Sequence, residues 1–316
     1  MRHVAIAAVL ASLLVACTDE MEPEEGTGSQ SVVVDNRLAA NRLAANRLAA
    51  NRLAANRLAA NRLAANRLKL DPLAAGDLLT TAEGIELLTF VVSCALPSGV
   101  TLVAEDPVTH DPHEFFGELG LAPRWANRKL DKIGQRWISA CLFSRVNANN
   151  VTVPISLRGP HRGLVTTAAE RAGWTQEEGA FYGNLFLPLN TPIEWIACRG
   201  RAQAAGETGG LADRDCTEPD PLNPGKTLCG FTFAGDCGDY PPAPEGRACR
   251  TFSQHGYYAS CSDEPVFGAA HHDSHDDDDD DDDGDCEHDD DDDHWHHGQR
   301  DRAAVYHQVI TTFTQP

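Results

Sequence analysis

The sequence carries none of the short motifs by which common hydrolases and nucleotide enzymes are recognised. It has no Gly-x-Ser-x-Gly elbow, no His-Glu-x-x-His, no phosphate-binding glycine loop and no dinucleotide fingerprint. It has no Cys-x-x-Cys knuckle either, although it holds 10 cysteines, so a structural zinc of the usual ligand spacing is disfavoured. Basic residues are scarce, 26 Lys and Arg against 47 Asp and Glu, for a net charge of -21. Phosphate binding needs a basic face, which argues against a nucleic-acid partner. The charge is also unevenly placed. Residues 271–297 hold 15 Asp, 1 Glu and no Lys or Arg, and so contribute -16 of the -21. The remainder is only mildly acidic and carries no global electrostatic signal.

No apolar run near the start is long enough to span a bilayer as a stable helix. Val4 to Ala16 follows the short basic start Met1-Arg2-His3 and reads as a secretory signal, residues 1–16. The run ends Leu14-Val15-Ala16-Cys17, which resembles the lipobox of bacterial lipoproteins. That resemblance implies cleavage before Cys17, diacylation of its sulfur and acylation of the new amine. Two or three acyl chains hold a protein to a membrane where one would not. The implied address is the bacterial cell envelope, with the membrane as partner through lipidated Cys17. Asp19 stands one place beyond the position that marks inner-membrane retention, which favours the outer membrane, facing periplasm or exterior. The cysteine count agrees with an oxidising compartment.

Residues 17–76 read as a low-complexity tether. Thr18 to Gln30 is acidic, with Gly and Ser, and has little to bury, which predicts disorder. Asn-Arg-Leu-Ala-Ala then repeats without error from Asn36 to a last Asn66-Arg67-Leu68. A step of five residues turns an α-helix by about 500°, so Leu38, Leu43, Leu48 and Leu53 wind around every side and make no stripe. Three readings stand: a disordered spacer, a lone fluctuating helix favoured by Ala, Leu and Arg, and a pentapeptide-repeat β-helix. The last wants Asn or Asp followed by Leu, whereas Arg lies between Asn and Leu here, and seven units are too few to stack. As a flexible coil the tether would reach roughly 40 Å, and its arginines are available to anionic headgroups or to the acidic run.

The body, residues 77–316, reads as α+β: a small disulfide-stapled domain with two amphipathic helices packed on short strands. Thr80 and Glu83 have capping-box spacing, and Leu87, Leu88, Val91, Val92, Ala95 and Leu96 form one apolar face, with Cys94 beside it. Pro97-Ser98-Gly99 stops this helix. Val100 to Ala104 predicts a short strand, and His110 to Gly120 a loop anchored by Phe115 and Phe116. Lys129 to Asn147 predicts the second helix, with Leu130, Ile133, Trp137, Ile138, Cys141, Leu142 and Val146 on one side. Val151, Val153, Ile155 and Leu157 alternate as a half-buried strand, and Arg158-Gly159-Pro160 turns the chain. Glu170 to Trp174 closes a short helix. Ala180 to Leu187 and Ile193 to Cys198 read as strands, with Phe181, Tyr182, Phe186 and Trp195 as core. Ala303 to Thr314 is a final strand, so the acidic run is an insert in a loop.

Cys94, Cys141, Cys198, Cys216, Cys229, Cys237, Cys249 and Cys261 are the disulfide candidates. Eight cysteines allow 105 pairings. Cys94 with Cys141 is the preferred pair, since both sit on apolar faces of neighbouring helices. Few apolar residues lie between Gly200 and Cys261, so bridges must hold that region. Cys286, inside the insert, is the odd thiol.

Within the insert at 271–297, His271, His272, His275, His288, His294, His296 and His297 are interleaved with carboxylates. Histidine suits zinc, nickel and copper, and carboxylate suits calcium and magnesium. Asp279, Asp281, Asp283 and Asp285 around Gly284 match the start of a calcium loop. Ca2+ or Zn2+ is therefore the cofactor to expect, held loosely; the alternative is a solvated loop. His110-x-x-His113-Glu114 is a weaker metal motif, with Pro112 arguing for loop. His161 and His255 are possible bases for Ser156 or a thiol.

The tether repeat, Ser93-Cys94-Ala95-Leu96, Gly117 to Pro123 with Trp125, the Trp137 helix, Ser156-Leu157-Arg158-Gly159, Glu178 to Phe186 and Cys198 together resemble cysteine-rich lipoproteins of myxobacteria and related predatory bacteria. No catalytic residue follows from that resemblance. The expected function is a membrane-anchored cell-envelope lipoprotein with a binding or structural role toward a protein or envelope polymer. An extracytoplasmic hydrolase and low-affinity divalent-cation binding through 271–297 are the alternatives.

Overall fold

The computed structural model describes residues 33–35, 38–39, 79–147, 153–188, 190–240, 246–265 and 303–316. Helix α1 (Ala82–Ala95) is capped by Thr81, whose hydroxyl accepts the Gly84 N–H at 3.1 Å. The cap is thus one residue later than the Thr80 spacing predicts, because Thr81 is the threonine that adopts the extended capping conformation. The predicted apolar face, Leu87 through Leu96, is buried in full. Helix α2 (Lys132–Ser144) starts at Asp131, whose Oδ1 accepts the Gly134 N–H at 2.7 Å. It packs against α1, and the Cys94–Cys141 disulfide joins the two helices as expected. Ile133 departs from the predicted stripe: it is 61% exposed. It lies in the first turn, where the helix borders an open cleft instead of the core.

Beneath α2 runs a six-stranded sheet, in the order β1-β6-β13-β7-β8-β9. Its strands are β1 (Val33–Asp35), β6 (Pro154–Arg158), β7 (Gln176–Asn184), β8 (Glu194–Arg199), β9 (Thr232–Asp236) and β13 (Ile310–Thr314). Every pairing is antiparallel except β8 with β9. The last strand of the chain therefore inserts between β6 and β7, so the chain beyond the acidic run returns to the large sheet, as expected; the run itself lies outside the described residues. The half-buried reading of 151–157 is corrected for β6, since every residue from Ile155 to Arg158 is buried. Ile155 and Leu157 join the main core, while Ser156 and Arg158 bond to Glu170 and the Trp174 carbonyl, in and just after α3 (Ala168–Gly173).

A smaller sheet, β10 (Cys249–Phe252), β11 (Tyr258–Ser262) and β12 (Val305–Tyr306), packs its buried side on β7 and β8 through Tyr182, Ile196 and Tyr258. Disulfides Cys198–Cys237 and Cys249–Cys261 meet at this junction, with Cys198 Sγ 3.4 Å from Cys249 Sγ. Cys216–Cys229 closes the fourth loop. All eight body cysteines are thus paired. The aromatic cluster is core, as predicted: Phe181 and Trp195 meet Phe231 edge-on at 5.4 and 5.9 Å.

Two further expectations fail. The stretch His110 to Gly120 is half of a hairpin, β3 (Thr101–Glu105) with β4 (Pro112–Phe116), instead of a loop. Pro112 is tolerated because it opens an edge strand, and alternation buries Phe115 while exposing Phe116. The tether is also not wholly apart from the body. Val33–Asp35 pairs with β6, and β2 (Leu38–Ala39), inside the first repeat, pairs in parallel with β5 (Val146–Asn147). The β-branched pair Val33-Val34 meets an edge of β6 that otherwise has no strand partner. The later repeats lie outside the described residues. Among the described residues no helix is long and apolar enough to cross a membrane.

Candidate functional site

The segment Gly159–Thr166 leaves β6 and crosses in front of α2. Gly163 fixes its path, because a Cβ there would stand 2.0 Å from the Leu119 carbonyl oxygen. His161 caps the short turn that follows, its Nδ1 accepting the Gly163 N–H at 3.0 Å. The ring meets Trp137 edge-on at 5.1 Å. Burial, and then the neighbouring Arg162 charge, hold the His161 pKa below its ordinary 6.5. The imidazole is therefore neutral at physiological pH, with its proton on Nε2.

Two clefts open on either side of His161 and Arg162. The smaller, about 430 Å³, lies between the start of α2 and the 121–125 segment, with Trp125, Trp137 and Ile133 as apolar walls. The larger, about 540 Å³, lies between the 159–166 segment, Arg171, and the β10–β11 turn carrying His255 and Tyr257. That turn rests on Arg158: a Cβ at Gly256, whose φ is +80°, would stand 2.5 Å from Arg158 Nη1. Arg158 lies over the Phe313 ring at 3.7 Å and donates to Ser156 Oγ at 3.1 Å and to the Trp174 carbonyl at 2.6 Å. Burial lowers its pKa to about 10, against the opposing pull of Glu170, so it stays charged at neutral pH.

The predicted site residues distribute as follows. His161 and His255 come together as walls of one cleft, but neither meets a nucleophile among the described residues. Ser156 Oγ donates to Glu170 Oε1 at 2.8 Å and accepts from Arg158. The body cysteines are all oxidised. His110 sits in the β3–β4 turn and bonds Glu105 at 2.8 Å, while His113 lies on β4. Among the described residues, the grouping with metal-ligand spacing is Cys198, Cys237 and Cys249, within 4.8 Å of one another, and these sulfurs are spent in disulfides. Cys17, Cys286 and the insert residues His271, His272, His275, Asp279, Asp281, Asp283, Asp285, His288, His294, His296 and His297 lie outside the described residues.

Three features escaped the sequence reading. Arg162, Arg171 and Tyr257 line the larger cleft; the concentration of arginine at 158, 162 and 171 in an otherwise acid-rich chain was the available signal. A fully buried ion pair, Arg214 Nε to Glu178 Oε2 at 2.8 Å, ties the segment after α4 (Arg201–Ala204) to β7. Thr312 Oγ1 donates to the same carboxylate at 2.7 Å, and Arg214 Nη2 donates to the Ser144 carbonyl at the end of α2. Glu177, next in β7, accepts from Tyr258 Oη at 2.8 Å, and burial raises its pKa. These buried groups brace the frame behind the clefts. No family model, no curated protein and no solved structure matches this chain.

Proposed function

We propose that the protein is a lipid-anchored component of the bacterial cell envelope whose disulfide-bonded body binds an envelope polymer at the paired clefts. The anchoring half rests on Leu14-Val15-Ala16-Cys17 at the end of an apolar run. The binding half rests on one observation: two concavities share the wall His161–Arg162 and combine exposed apolar side chains with cationic ones. Their sizes fall in the usual range for small-ligand sites. The smaller stands on the start of helix α2, and an element of that kind holds a binding geometry more closely than a free loop does; the larger is framed by the 159–166 segment, by Arg171 of α3 and by the β10–β11 turn. The resemblance to cysteine-rich lipoproteins of myxobacteria and related predatory bacteria supports the same reading.

Two measurements on the full chain test it. Cells fed labelled palmitate should label the wild type, and Cys17→Ser should lose the label and leave the membrane fraction. Purified chain should co-sediment with insoluble envelope polymer, and Ile133→Glu, a change at an exposed rim position, should weaken co-sedimentation without lowering the melting temperature. A Cys17→Ser chain that keeps its label would overturn the anchor. A wild-type chain that stays in the supernatant would overturn the binding role.

A further inference from the structure

The two clefts hold an imbalance of charge. Arg162 and Arg171 line the larger, and Arg124 and Lys129 line the smaller. Asp131 is the carboxylate that lines either of them, and its Oδ1 is engaged by the Gly134 N–H at the head of α2. Arg171 Nη1 donates to the Thr166 carbonyl at 2.6 Å and to its hydroxyl at 3.2 Å, both neutral partners. Among the described residues, the ion pairs involve other cations: Arg145, Arg199, Arg214 and Arg247. Arg158 adds a further charge one layer down, and Ser156 links it to Glu170.

Arg145, Arg199, Arg214 and Arg247 thus find carboxylates. In the clefts like charges face open space, where their mutual repulsion is relieved by an anion. A guanidinium fork fits a carboxylate through two parallel hydrogen bonds. The cleft is also not purely polar. Tyr257 is half-buried and Val165 is 67% exposed, and both line the larger cleft. An aromatic face with an apolar body and a polar tip suits the flat side of a sugar ring, and about 540 Å³ accommodates one or two such rings.

We infer that the larger cleft binds a carboxylate-bearing sugar, with Arg162 and Arg171 on the carboxylate and Tyr257 against the ring. This inference rests on the binding role proposed above and names its ligand class.

N-acetylmuramic acid and N-acetylglucosamine make a matched pair of probes, since they share a ring and differ by one lactyl carboxylate. Calorimetric titration of the full oxidised chain should give about tenfold tighter binding of the acid at low ionic strength, shrinking as salt is added. Arg162→Gln, at an exposed position, should remove most of that preference for the acid over the neutral sugar without lowering the melting temperature. Equal binding of the two sugars overturns the inference, and so does inorganic phosphate binding as tightly as the acid. A preference that appears only after residues 271–297 are deleted also overturns it, because the chain's own carboxylates would then be the anion. Co-sedimentation with envelope polymer that persists beside any of these results leaves the binding role standing, so the two failures are distinguishable.

Discussion

His161 carries two contacts with one ring, and both depend on its charge. Nδ1 accepts the Gly163 N–H, and the ring edge meets Trp137. Its pKa lies below the ordinary 6.5, so the folded state favours the neutral ring. The stability this gives is complete above 6.5 and is lost as pH falls through the lower folded value. Protonation also removes the acceptor that holds the 161–164 turn. The emission difference between wild type and Trp137→Phe should therefore titrate with a midpoint below 6.5, and a midpoint at or above it would contradict the geometry. At this scale little was legible. The sequence places His161 in a turn but says nothing of Trp137, which comes from another element. Glu178 and Arg214 pair across a sequence separation of 36 residues, with both side chains fully buried. A charged pair of that kind leaves no periodic trace, because hydrophobic pattern reports burial only of apolar groups.

Helices α1 and α2 are the elements the sequence described best, because each presents an apolar face at helical spacing with a cysteine on or beside it. Their bridge closes the longest disulfide loop, a separation of 47 residues, against 12 for Cys249–Cys261. Loop-closure entropy predicts about 4 kcal/mol for the first and about 3 kcal/mol for the second. Urea denaturation of Cys94→Ala/Cys141→Ala should therefore show the larger loss of stability, and the opposite order would place the main constraint at the junction of the two sheets. The strands were legible in position but not in exposure. β6 alternates in sequence and yet is buried on both faces, because α3 covers the side that a two-layer reading leaves wet. The β3–β4 hairpin was hidden by Pro112, whose edge position is a fact of topology.

At the scale of the whole molecule, the pairing of Val33–Asp35 with β6 bears on the proposed anchor. With the anchor proposed at Cys17, the 15 residues from Thr18 to Val32 separate it from β1, and a flexible coil of that length would reach roughly 20 Å in place of roughly 40 Å. The repeats from Asn41 to Leu68 stand in the sequence between β2 and α1, two elements that both contact the body. Deleting two of those repeats should leave the distance between membrane and body unchanged, while deleting five residues within 18–32 should shorten it. Energy transfer from a labelled bilayer to a dye on the body would measure both. The path of the chain has one more consequence. Strand β13 lies in the middle of the large sheet, yet it follows the acidic run, and the disulfides among the body cysteines all close before Ser262. A single cut between Pro265 and Ala303 would leave the protein in two polypeptides with no disulfide among the body cysteines between them, joined by hydrogen bonds such as Thr312 to Glu178 and by packing. The acidic run is thus a built-in split point, and the fold is a natural candidate for fragment complementation, with residues 303–316 as the exchangeable piece.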